Sequence, residues 1–95
     1  MENTHNFTLI HGNFNVEDAK SVVLSFYNTK ILFHNQQLSR IAQGMQGDAQ
    51  VIAAKILELK KTRDEVSELL TKADVENHLV EIDGHIVIKL AQTQN

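Results

Sequence analysis

Residues 48–73 read DAQVIAAKILELKKTRDEVSELLTKA, and the fold turns on this stretch. Ile52, Ile56, Leu59, Arg63, Val66, Leu70 and Ala73 recur at alternating steps of four and three. A 3.5-residue repeat keeps such a set on one side of an α-helix and is the pattern of coiled-coil packing. Asp48 stands where an N-cap is needed, with a carboxylate to accept from the first free amides. Glu68 and Lys72 form an i,i+4 pair in the favourable order, whereas Lys60–Asp64 and Lys61–Glu65 run the weaker way. The spacing predicts a helix over 49–73.

Upstream lies a second stripe of the same kind: Val23, Tyr27, Ile31, His34, Leu38, Ile41 and Met45. Val22, Phe26, Phe33 and Ala42 widen it beyond a narrow seam. Asn15 is the expected N-cap, and Glu17 and Asp18 suit the positive end of the helix dipole. Gly44 and Gly47 close the helix, because glycine accepts the left-handed backbone of a helical C-terminus. The prediction is a helix over 16–43, a turn over 44–48 and an antiparallel helical hairpin.

The flanks are strand-like. Phe7 to Phe14 carries β-branched and aromatic residues, predicting a strand over 7–14. From 78 to 90 the even positions Val80, Ile82, Ile86, Ile88 and Leu90 are apolar, and Glu81, Asp83, His85 and Lys89 alternate with them. Period two means strand. Asp83-Gly84 is a hairpin dipeptide, but a two-residue turn there inverts parity on its far side, and the parity does not invert. Either one strand passes through Gly84 or an odd loop, Asp83-Gly84-His85, keeps one face inward; the hairpin is slightly favoured. Residues 1–6 and 91–95 are polar and expected to fray. The fold class expected is α+β, one domain over 1–95 in the order β-α-α-β: a long antiparallel helical hairpin with a small antiparallel sheet at one end.

Composition narrows the function. The 95 residues have a mass of 10.7 kDa, enough for one core. No cysteine is present, which excludes disulfides, thiolate zinc sites and a cysteine nucleophile. No segment is long and apolar enough to span a bilayer, and Met1 to Thr4 lacks the start of a signal peptide, so the expectation is a cytoplasmic protein without a membrane partner. A net charge of −3 argues against nucleic acid. Lys20, Lys30 and Arg40 are the only charges between Ala19 and Gly47, and they spiral around the helix instead of forming a stripe. Gly44-x-x-Gly47 matches the nucleic-acid loop of KH domains only as a tetrapeptide, in the wrong order of elements.

Catalytic groupings are missing. Ser21, Ser25, Ser39 and Ser67 all fall on predicted helices, none at a glycine elbow, and the four glycines build no phosphate loop. No two of the five histidines are three or four apart, the local spacing of many metal sites. No enzyme, cofactor or metal is expected. His34, in mid-stripe, reads as a core histidine bonded to an amide such as Asn35, Gln37 or a residue across the hairpin; the sharper reading is a protonation switch. Arg63 at a core position reads as a stem laid along the seam, fixing register.

One mismatch carries more weight. The first helix, about 42 Å long, spreads its apolar residues over more of its surface than one antiparallel neighbour covers. A second copy is the simplest cover, giving a homodimeric four-helix arrangement with Val23, Phe26, Tyr27, Ile31, His34, Leu38, Ile41 and Arg63 at the interface. The expected function is a self-associating structural or protein-interaction module, another protein being a further possible partner. The alternative is a ligand- or pH-responsive regulator with a polar site at the histidines and Arg63.

Overall fold

The computed structural model describes residues 3–91, in the order β1 (Thr4–Phe14), α1 (Val16–Ala42), α2 (Ala49–Val75) and β2 (Val80–Lys89). The two helices lie against each other, and the two strands form an antiparallel two-stranded sheet. The fold is α+β. One arm of the long chain reversal is thus a strand followed, across a short junction, by a helix, and the other a helix followed by a strand.

Both helices begin at caps. Asn15 Oδ1 accepts from the Asp18 amide at 2.8 Å, and Asp48 Oδ1 accepts from Gln50 and Val51 at 3.0 and 3.3 Å. Each supplies an acceptor for first-turn amides that have no partner inside the helix. Both helices also end alike. At α1 the Gly44 amide donates to Ile41 and the Met45 amide to Arg40, both at 3.0 Å, with Gly44 at φ +100°. At α2 the Asn77 amide donates to Asp74 at 3.1 Å and the His78 amide to Ala73 at 2.9 Å, with Asn77 at φ 59°. A left-handed residue just past the end turns the chain back so that two orphan carbonyls are satisfied. Asn77 therefore carries α2 to Val75, two residues beyond where the heptad stops.

The sheet corrects two expectations. β2 is one strand through Gly84, paired with β1 from Phe14↔Val80 to Thr4↔Lys89; the favoured hairpin at Asp83-Gly84-His85 does not form. The preserved parity of residues 80–88 is the physical reason, since it needs no turn at all. Secondly, Thr4, His5 and Asn6, expected to fray, belong to β1 because Lys89, Ile88 and Val87 give them pairing partners. Asn3 and Ala91, also expected to fray, lie just outside the strands, with the Asn3 carbonyl accepting from the Leu90 amide at 2.7 Å; Met1, Glu2 and 92–95 lie outside the described residues.

A bulge reconciles β1 with its partner. Thr8 pairs with His85 and Ile10 with Gly84, so Leu9 is an extra residue. Phe7 and Ile10, three apart, would face opposite ways in a regular strand. The extra residue resets parity, and Phe7, Ile10 and Phe14 share a face with Ile82, Gly84, Ile86 and Ile88. Gly84 is opposite Ile10, whose Cγ2 would sit 2.9 Å from an added Cβ. The strand is interrupted by glycine because the bulge crowds that point.

The core lies where sheet meets helices. Val16, Ala19 and Leu70 are buried there, with Phe14, Val66, Ala73, Val80 and Ile82 packed on them. Among the described residues, only Ile31, His34 and Ile56 are buried farther along the hairpin, where each helix has only the other beside it. The molecule measures 54 × 39 × 15 Å with a radius of gyration of 17.2 Å, against about 12 Å for a compact chain of this length.

Candidate interaction surface

The hairpin has two unlike broad faces. On α1, Val22, Phe26, Lys30, Phe33 and Gln37 follow one another at steps of four and three and form one strip. On α2, Val51, Lys55, Glu58, Thr62, Glu65 and Leu69 do the same. The strips lie on the same side, because Lys30 together with Lys55, Glu58 and Thr62 lines one cleft of about 360 Å³, along with His34 and Leu59. Phe26, Phe33, Val51 and Leu69 are all exposed, Phe33 to 51 % and Leu69 to 64 %. Charges of both signs are interleaved, with Lys30 and Lys55 set against Glu58 and Glu65.

The other face is tied by polar bonds. Lys20 Nζ donates to Thr71 Oγ1 at 3.1 Å, and Arg63 Nη1 donates to Asn28 Oδ1 at 3.0 Å. Asn28 is two residues from both Phe26 and Lys30, and residues two apart point about 160° apart around a helix. Lys20 stands in the same relation to Val22, and Thr71 to Leu69. One face thus carries the polar bonds between the helices, and the other carries exposed Phe26, Phe33, Val51 and Leu69 between its charges.

Of the residues expected at an interface, Val23, Tyr27, Ile31, His34, Leu38, Ile41 and Arg63 are buried or half-buried within the single chain. Phe26 alone of that set is exposed. Val51 and Leu69 were missed because they sit beside the α2 heptad positions. They stand out only once the two helices are seen to share a side.

The histidines do not converge on Arg63. His34 is 7 % exposed; its Nδ1 is 2.6 Å from Gln37 Oε1, so Nδ1 is the donor. Phe33 packs edge-on against its ring with centroids 5.3 Å apart. Among the described residues Nε2 has no hydrogen-bond partner, and no buried polar side-chain atom lacks one, so Nε2 reaches solvent. His34 lines the cleft, whereas Arg63 bonds to Asn28 on the opposite face. His78 bonds to Glu76 at 3.1 Å beyond α2. His5, His11 and His85 are in the sheet. His11 Nδ1 meets Asp83 Oδ1 at 2.6 Å across the strands. That hydrogen bond, with the carboxylate's charge, raises the His11 pKa above 6.5; the same bond lowers that of Asp83 below 3.8. Among the described residues no group of three or more His, Asp or Glu side chains could hold a metal ion, and no helix is long and apolar enough to cross a membrane. Comparison with protein-family models, curated proteins and solved structures finds no match.

Proposed function

We propose that the protein is an assembly unit whose activity is self-association, two helical hairpins meeting through the apolar face to make a four-helix arrangement. The observation that carries this reading is uncovered area. The chain exposes 7722 Å², whereas a compact monomer of 10.7 kDa exposes about 5500 Å². The excess of about 2200 Å² per chain is what an obligate dimer interface removes. Interleaved charge of both signs on that face lets two copies meet without accumulating like charge.

Light scattering coupled to gel filtration tests it. The expected mass is twice the 10.7 kDa of one chain, persisting to low micromolar concentration. Phe26→Glu combined with Phe33→Glu alters only exposed positions, so it should yield a helical single chain. A wild-type mass of one chain across the concentration range overturns the reading.

A further inference from the structure

The sheet has two edges, and their chemistry differs. β2 carries Glu81, Asp83 and Lys89, the charged residues by which edge strands avoid pairing with one another. β1 is eleven residues long and contains no Asp, Glu, Lys, Arg or Pro. Its single blunting feature is the bulge at Leu9. Outside that bulge, Thr4 to Thr8 forms a regular segment whose outer edge has no strand beside it among the described residues.

The same outer half is short of support. Phe14, Val80 and Ile82 pack on the helices, but Phe7, Ile86 and Ile88 are exposed, Phe7 to 54 %. A two-stranded ribbon with nothing packed on it is marginal in water, and three or more strands are needed for independent stability. A further strand is what this half lacks.

We infer that Thr4–Thr8 of β1 pairs antiparallel with the same segment of a second copy, centred on Asn6, giving a continuous four-stranded sheet in the order β2-β1-β1-β2. The inference rests on the self-association proposed above and names a second contact within the dimer. Charge selects the partner strand. Pairing centred on Asn6 sets Asn6 beside its own copy, His5 beside Phe7 and Thr4 beside Thr8, so no Asp, Glu, Lys or Arg is brought against another. The same arrangement through β2, centred on Ile82, would set Glu81 against Asp83 of the second copy. It also doubles the apolar ribbon, placing two copies of Phe7, Ile86 and Ile88 on one sheet.

The absence of cysteine makes the test direct. Asn6→Cys places a thiol on the polar side of β1, and Val87→Cys places one directly across from it on β2. Opposed residues of an antiparallel pair are about 4.5–5.5 Å apart at Cα, within disulfide reach. In the proposed order the two copies of Val87 are three strand spacings apart, about 14 Å, beyond reach. Mild oxidation of the full chain should cross-link Asn6→Cys at least about tenfold more than Val87→Cys. Thr4→Cys and Thr8→Cys step along the same side and register the centre of pairing. A dimeric mass with no cross-link at Thr4, Asn6 or Thr8 overturns the β1 pairing and leaves self-association standing. A dimer cross-linked through Val87 also overturns it. A single-chain mass in every variant overturns both.

Discussion

Gly84, Arg63 and the His11–Asp83 pair hold positions that substitution can probe. Gly84 faces Ile10 Cγ2 at 2.9 Å from where a Cβ would stand. Gly84→Ala should cost about 1–3 kcal/mol, the usual range for overpacking, and markedly less when combined with Ile10→Ala; a thermodynamic cycle from urea melts measures that coupling. Arg63 shares its guanidinium with a neutral amide at 3.0 Å and, more loosely, with Asp64 at 3.4 Å. Arg63→Leu should change stability by no more than about 1 kcal/mol, because no buried charge is stranded by its removal. Asp83 and His11 respond to pH with a definite sign. The raised pKa of His11 makes its contribution complete below about pH 6.5 and lost as pH rises through the raised value. The lowered pKa of Asp83 makes its contribution complete above about pH 3.8 and lost as pH falls through the lowered value. The difference in melting temperature between wild type and Asp83→Asn should therefore peak near pH 5 and shrink toward pH 8 and pH 2.

At the scale of elements, the sequence exposes what is local and hides what depends on a partner strand. Asn15 and Asp48 are legible as caps because an N-cap needs only a short acceptor side chain ahead of an apolar repeat. The end of α2 was misplaced because Asn77 does the work of glycine, and its left-handed backbone is invisible in a hydrophobic pattern. Asn77→Gly should be neutral or stabilising and Asn77→Ala should lower stability by about 1 kcal/mol, read from the helical circular-dichroism signal on heating. The single strand through Gly84 was written in parity, while the dipeptide argued for a turn. Parity reports the pairing of many residues and prevails over two. The bulge at Leu9 was not legible, because an extra residue exists only relative to the strand opposite. As for the surface, Phe26 and Phe33 stood out as excess apolar cover on α1. The companion strip on α2 emerges only when the two helices are seen to share a side.

For the whole molecule, shape and surface point the same way. A radius of gyration of 17.2 Å and an exposed area of 7722 Å² both exceed those of a compact chain of this length, the excess that the proposed self-association would cover. Stability should therefore depend on concentration. The melting temperature is expected to fall on dilution of the wild type, because a native state held together by association is stabilised by mass action. The Phe26→Glu, Phe33→Glu variant should melt lower and independently of concentration. Differential scanning fluorimetry over a hundredfold dilution series decides between them.

The pairing of the first strand with the last also sets a timetable for synthesis. β1 leaves the ribosome with no partner, and Val80 follows Phe14 only after about 65 further residues. At about 5–20 residues per second, β1 waits some seconds, uncharged and unpaired, for its strand. On a polysome, neighbouring nascent chains present the same waiting segment at high local concentration. Under the proposed β1 pairing, the edge that would complete the assembly is also where misassembly is most exposed to chance, and Asn6→Lys should raise soluble yield during rapid expression while weakening that pairing.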